Sequence, residues 1–326
     1  MTTIFRDDDA DPAAIEGSAV AVVGYGNQGR SWALNLRDSG LDVRVCVRAD
    51  ETRQQAEHDG FEGHDVEGAS DADVICVLVP DDAIPELPIR PRDDALTVVA
   101  SGYTLAFDRF DPPGDVGMIA PRMLGPEVRK CYEEGVGFIT GVGVHRDATG
   151  RCQERLLALA HAVGGLRQGA IEMTPLQEAI LDLAVEQALA PALQHVHTTF
   201  VQQMLEQGIP LEAIITEISL SGEMERTMRL VRLEGYAAQM EYHSPTSQYG
   251  QLSRRDEFAH LDVASKMSEI VEGIRSGAFA DEWDAEREAG HATLQALKQQ
   301  HVGEAVSAYE AEIRTKLGET SVKGTP

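Results

Sequence analysis

At 326 residues the chain is long enough for two domains, each with its own core. Its 54 acidic residues against 28 basic ones give a net charge of −26, which repels phosphodiester backbones and anionic lipid surfaces. Nucleic acid and membranes are therefore excluded as expected partners, and a small-molecule substrate is expected instead. No apolar run approaches the roughly 20 residues of a spanning helix. The acidic start, Met-Thr-Thr-Ile-Phe-Arg-Asp-Asp-Asp, lacks the basic and apolar regions of a signal peptide. Four cysteines without a CxxC pair fit a reducing compartment and no zinc site, so a cytoplasmic enzyme is expected.

In chain order, short apolar runs alternate with helical stretches, the pattern of a parallel sheet with helices on both faces. Val20-Ala-Val-Val23 is the first predicted strand, Asn27 to Asp38 the first helix, and Val43-Arg-Val-Cys-Val47 the second strand. Further strands are predicted at Val74–Val79, Leu96–Ala100, Val116–Ala120 and Gly137–Val144. From about Thr174 the pattern becomes helical, over roughly 174–206, 211–232, 256–275 and 282–316. The expected fold is an α/β Rossmann-type domain over 1–173 and an all-α domain over 174–317. The polar tail 318–326 is expected to be disordered.

Gly24-Tyr-Gly-Asn-Gln-Gly29 follows the first strand and opens the first helix, the context that a dinucleotide-binding loop requires. The first glycine makes the turn, the second lets backbone approach the pyrophosphate, and the third packs helix on strand. Tyr25, Asn27 and Gln28 complete this candidate loop, and the diphosphate would rest on the helix N-terminus. The second strand ends in Arg48-Ala-Asp-Glu-Thr-Arg53. An acid there bonds a ribose 2′-hydroxyl, whereas an arginine accommodates a 2′-phosphate. Arg48 and Arg53 thus speak for NADP and Asp50 and Glu51 for NAD, with a slight lean to NADP because Arg48 holds the strand end.

Asp182 and Glu186 stand four apart in the apolar stretch Ala179–Gln187, so a helix brings both carboxylates to one face. Like charges on a face that reads as buried destabilise a helix unless a cation or a proton neutralises them, and a hard cation such as Mg²⁺ satisfies both. Further acids are expected from Ile214–Glu225. Glu217 stands among apolar neighbours, Glu223 follows Gly222, and Glu225 beside Arg226 reads as a surface pair. His195 and His197 are two apart, hence on different faces. Ser244 opens a polar stretch, where its hydroxyl would bond a substrate carboxylate or cap the next helix.

Together these residues resemble the ketol-acid reductoisomerase family, the acetohydroxy acid isomeroreductases. The likeness runs in order through Gly24–Gly29, Ala33–Gly40, Leu78-Val-Pro-Asp81, Ala120-Pro-Arg122, Val128-Arg129, Arg146–Gly150, Leu181–Gln187 and Ser244–Gly250, nearly the whole chain. The resemblance implies a nicotinamide-binding first domain, with Pro80 and Asp81 beside the cofactor, and a knotted helical second domain that forms homodimers or larger homo-oligomers. It also implies Mg²⁺ held by four acids, alkyl migration in a 2-hydroxy-2-alkyl-3-oxo acid, and reduction of the product by NADPH. Asp182 and Glu186 match the first two metal ligands, Glu217 the third and Ser244 the substrate serine. Three departures stand out. Ser101 replaces a histidine, Arg122 replaces a lysine, and the fourth ligand falls on Ser221 unless a short insertion brings Glu223 there. Ser101 and Arg122 are kept as candidate catalytic residues. The alternatives are a reductase without the isomerase step, on a 2-oxo acid or an imine, and a silent nicotinamide-binding protein.

Overall fold

The computed structural model describes residues 2–301 and 304–317, in two compact units that part after Leu183. In the first, β1 (Ile4–Phe5), β2 (Ala19–Val23), β3 (Asp42–Cys46), β4 (Gly63–His64), β5 (Val74–Val77), β6 (Leu96–Val99), β7 (Asp115–Pro121), β8 (Thr140–Arg146) and β9 (Ala170–Glu172) form one sheet. Its order is β1-β9-β8-β7-β6-β5-β2-β3-β4. All pairs from β4 to β7 are parallel, while β7 with β8 and β1 with β9 are antiparallel. The chain builds outward from β2 first toward β3 and then toward β5. That reversal opens a crevice beyond the carboxyl ends of β2, β3 and β5.

The central strands are buried on both faces, which is why they read as continuous apolar runs. Alternate side chains serve opposite layers. Val20 and Val22 pack with Trp32, Leu36 and Leu156 on one side, and Ala21 and Val23 with Ile75, Leu105 and Met118 on the other. The helices of this unit are α1 (Asn27–Asp38), α2 (Glu51–His58), α3 (Tyr103–Ala106), α4 (Gly125–Glu133), α5 (Cys152–Val163) and α6 (Pro175–Ala184).

The second unit has no strand among its described residues. A π-helical segment, Val185–Leu189, leads into α7 (Ala190–Glu206). There follow α8 (Leu211–Ile215), a second π-helical segment at Thr216–Leu220, α9 (Glu223–Glu234), α10 (Tyr236–Met240) and α11 (Pro245–Arg254). The last are α12 (Val263–Arg275), α13 (Ala278–Glu288), α14 (Ala292–His301) and α15 (Glu304–Leu317).

The long helices expected from sequence are interrupted for local reasons. Gly222 at φ +73° separates α8 and its π turn from α9, and Gly290 with His291, both at positive φ, separates α13 from α14. The stretch read as turns at 243–250 contains the start of α11, because Pro245 sits at its first position and the Ser244 hydroxyl accepts from Ser247 N. The change of pattern near residue 173 marks the end of the last strand, whereas the compact units part ten residues later, since α6 is bonded into the first unit. The tail 318–326 lies outside the described residues.

Candidate functional site

The glycine loop has the geometry its sequence demands. Gly24 adopts φ +94°, and a Cβ there would lie 2.6 Å from the Leu78 carbonyl oxygen; a Cβ on Gly29 would lie 2.1 Å from the Gly24 oxygen. Gly26 faces open space. Beyond the loop lies a cavity of about 930 Å³, lined by Gly24, Tyr25, Gly26, Arg48, Asp50 and Pro80 among others. The Tyr25 hydroxyl donates to Asp59 at 2.9 Å, and Arg30 Nε meets the same carboxylate at 2.6 Å. The Arg30 bond holds the Asp59 carboxyl well below the usual range, while burial and Asp59 push the Tyr25 hydroxyl far up. The loop is thereby clamped to the end of α2.

Asn27, Gln28 and Gly29 open α1 and also tie it to its neighbours. Gln28 Nε2 donates to the Met123 carbonyl at 3.1 Å, Ser31 Oγ donates to the Gly125 carbonyl at 2.7 Å, and Asn27 backs directly on Gly125. The loop after β7 is thus tied to the nucleotide loop. Asp81 and Arg53 do not line the cavity, although the adjacent Asp82 does. Arg53 Nη2 donates to the Val47 carbonyl at 2.7 Å, the His64 carbonyl at 3.2 Å and Asp65 Oδ1 at 2.5 Å. Asp50 caps α2 by accepting from Thr52 N at 3.0 Å. Bonds from Thr52 hold its carboxyl below the ordinary value. Arg48 is largely exposed, 3.4 Å from Asp50.

A second constellation lies beyond the carboxyl ends of β6 and β7, within the same unit. Ser101 Oγ accepts from Tyr103 N at 3.2 Å, and Gly102 N donates to Glu178 Oε2 at 2.6 Å. Arg122 Nη1 lies 3.0 Å from Glu178 Oε1 and 3.4 Å from Asp182 Oδ1. Glu178 is 2% exposed, and burial pushes its carboxyl above the usual range while Gly102 N and Arg122 pull it back. Asp182 is half exposed. Sequence singles out Ser101, Arg122 and Asp182 but not Glu178. The signal for Glu178 is the spacing, since Glu178, Asp182 and Glu186 recur every four residues.

The other candidate acids lie in the helical unit. Glu186 and Glu217 each fall within one of the two π-helical segments, a rare geometry that is frequent at functional sites. The Ser221 hydroxyl donates to the Glu217 carbonyl at 3.3 Å and accepts from Glu223 N at 3.2 Å, so it turns the chain into α9. Ser244 caps α11, and His195 and His197 are exposed along α7. Among the described residues no group of three or more His, Cys, Asp or Glu side chains is placed to hold a metal ion. For Mg²⁺ the donor chemistry fits in part. The Asp182 carboxylate is half exposed and keeps acceptor capacity beside a 3.4 Å arginine, as an oxygen ligand must.

Comparison with known proteins agrees over both units. Residues 14–169 match the family model described as acetohydroxy acid isomeroreductase, NADPH-binding domain, and residues 176–319 the ketol-acid reductoisomerase, C-terminal domain. A ketol-acid reductoisomerase (NADP(+)) of Caldivirga maquilingensis is 38% identical over 303 residues, covering 90% of this chain and 92% of that protein. A ketol-acid reductoisomerase (NAD(P)(+)) of Metallosphaera sedula is 35% identical over 304 residues, 90% of each chain. Among solved structures, an NADH-preferring ketol-acid reductoisomerase from an uncultured archean superposes with a TM-score of 0.88 at 30% identity, covering 96% of this chain and 98% of that one. With a dinucleotide cavity and a carboxylate–arginine cluster in the first unit, and matches along nearly its whole length, the chain belongs to the ketol-acid reductoisomerase family.

Proposed function

We propose that this NAD(P)H-dependent oxidoreductase takes a 2-hydroxy-2-alkyl-3-oxo acid through alkyl migration and reduces the resulting 2-oxo acid. The observation that carries the reading is the Gly102–Glu178–Arg122–Asp182 cluster, which stands beside the nucleotide crevice at the carboxyl edge of one sheet. The open Gly26 backbone and the N-terminus of α1 suit a diphosphate. Arg122, its direction set by the buried Glu178, presents a cation to a substrate carboxylate. Ser244, whose hydroxyl oxygen caps α11, is kept as a candidate for a substrate carboxylate.

Asp182 and Glu186, with Glu217 and Glu223 as further acids, would hold Mg²⁺. When bound, it supplies Lewis-acid polarisation of the keto oxygen. The chain's own part is to orient the acid, hold Asp182 beside Arg122 and aim the acceptor carbon at the nicotinamide. The reading includes a homodimer built through a knotted helical unit, in a reducing cytoplasm, to which four free cysteines are suited.

The departures at Ser101, Arg122 and Ser221 favour one second reading, a reductase without the isomerase step. Following NADPH and NADH oxidation with Mg²⁺ on 2-acetolactate and on 3-hydroxy-3-methyl-2-oxobutanoate separates the two. Turnover of both acids is expected; turnover of the rearranged acid alone would leave only the reductase, and turnover of neither would end both readings. Asp182→Asn is expected to abolish turnover and leave cofactor affinity nearly intact, and loss of both together would overturn the role of Asp182 as a metal ligand.

A further inference from the structure

We infer that the crevice selects the dinucleotide without a 2′-phosphate, so that NADH is the preferred reductant, and that Asp65 and Asp50 set this choice. The inference rests on the dinucleotide-binding reading and gives that site its ligand. Two arginines near the end of β3 offer a cation to a 2′-phosphate, Arg48 and Arg53, and the fold withdraws the second. Its Nη2 is shared among the Val47 and His64 carbonyls and Asp65. Its stem lies so close to Gly63 that a Cβ there would meet Arg53 Cγ at 2.5 Å. Arg53 therefore pins β3 to β4 with its charge matched at 2.5 Å by Asp65, and its side chain is only 21% exposed.

Beyond the matched Arg53–Asp65 pair, the cavity wall carries Asp50 and Glu67 against Arg48. A 2′-phosphate brings close to two further negative charges. Arg48 meets them from an 86% exposed side chain that already faces Asp50 at 3.4 Å, a solvated and weak arrangement. Asp50 is fixed by its capping bond to Thr52 N through Oδ1, and its Oδ2, 3.4 Å from Arg48 Nε, has a further lone pair to accept from a ribose 2′-hydroxyl.

The test is direct titration of the full-length protein with NADH and NADPH at one ionic strength, by calorimetry, with no substrate present. NADH is expected to bind at least about tenfold more tightly. Asp65→Ala releases Arg53 and is expected to move the ratio toward NADPH, and Asp50→Asn, which keeps the cap, is expected to weaken NADH alone. Arg53→Met is expected to lower Tm while leaving the ratio of the two affinities unchanged. Its Tm and ratio keep the question answerable if Asp65→Ala fails to fold. Equal or tighter binding of NADPH, or a selective loss of NADPH in Arg53→Met, overturns the inference and leaves the reductoisomerase reading standing. Binding of neither dinucleotide overturns that reading as well.

Discussion

Gly102 shows how one position without a side chain joins two parts of the first unit. A Cβ there would stand 2.2 Å from the Pro175 carbonyl and 2.9 Å from Glu178 Oε2, so only glycine lets the loop after β6 donate its N–H to the buried carboxylate. Gly102→Ala is expected to cost about 1–3 kcal/mol of stability, as overpacking does. It should also turn Arg122 loose from its seat and lower turnover while NADH affinity stays nearly constant, because no member of the cluster lines the cofactor cavity. Thermal unfolding, calorimetric titration and steady-state rates on one preparation check all three; unchanged Tm and turnover would contradict this role for Gly102. The same cluster marks the limit of legibility at this scale. Sequence singles out Asp182 because its helix face reads as buried, whereas the structure leaves the carboxylate half exposed, beside Arg122. Glu178 carries the same signal one turn earlier, but its value depends on Gly102 and Arg122, 76 residues and 56 residues away in sequence, and helix spacing alone does not report such contacts.

Elements are held by a different buried pair, on the opposite edge of the sheet. Asp115, at the start of β7, is 0% exposed and accepts from Ala148 N, Thr149 N and Thr149 Oγ1, while Arg155 Nη1 of α5 meets it at 3.1 Å. Arg155 also donates to the Asp94 and Asp73 carbonyls, so β5, β6, β7 and α5 are tied through one guanidinium. Despite the opposing effect of burial, the Thr149 and Ala148 bonds and Arg155 hold the Asp115 carboxyl below its usual range. A depressed carboxylate stabilises the fold fully above its unfolded pKa and loses that contribution as pH falls through its folded value. Asp115→Ala is therefore expected to cost about 3–5 kcal/mol above roughly pH 5, leaving Arg155 buried and uncompensated. The gap to the parent should narrow as pH falls below about 4. Denaturant unfolding across that range decides it, and a gap independent of pH would refute the role. Elements that burial defines were legible: α1 spans the predicted Asn27–Asp38, and β2 and β5 to β8 fall within a few residues of the apolar runs that announced them. The two- and three-residue strands β1, β4 and β9 were not, because they exist only through pairing with neighbours. The π turns are equally silent, since they keep a helical pattern and differ only in which carbonyl each N–H reaches.

At the scale of the whole molecule, the second unit presents more apolar surface than one chain can account for. In α7 none of 17 residues is buried, and Leu193, Val196 and Phe200, spaced to share one face, are 57%, 60% and 42% exposed. A monomer rarely leaves such a stripe in water, and a second copy of the same helix is expected to cover it by a two-fold contact. Two chains of net charge −26 repel one another at low ionic strength, so the association has to come from apolar burial against that repulsion. The sign of the salt effect then follows. Raising salt screens the repulsion and strengthens the apolar contact, so the dimer dissociation constant should fall between about 0.05 M and 0.5 M NaCl, where the Debye length shrinks below roughly 10 Å. Val196→Asp with Phe200→Asp should give monomers with a lower Tm. Sedimentation equilibrium of both proteins across that salt range supplies the decision: dimers that loosen with salt would mean that ion pairs hold the contact, and dimers in the double variant would place it on another face.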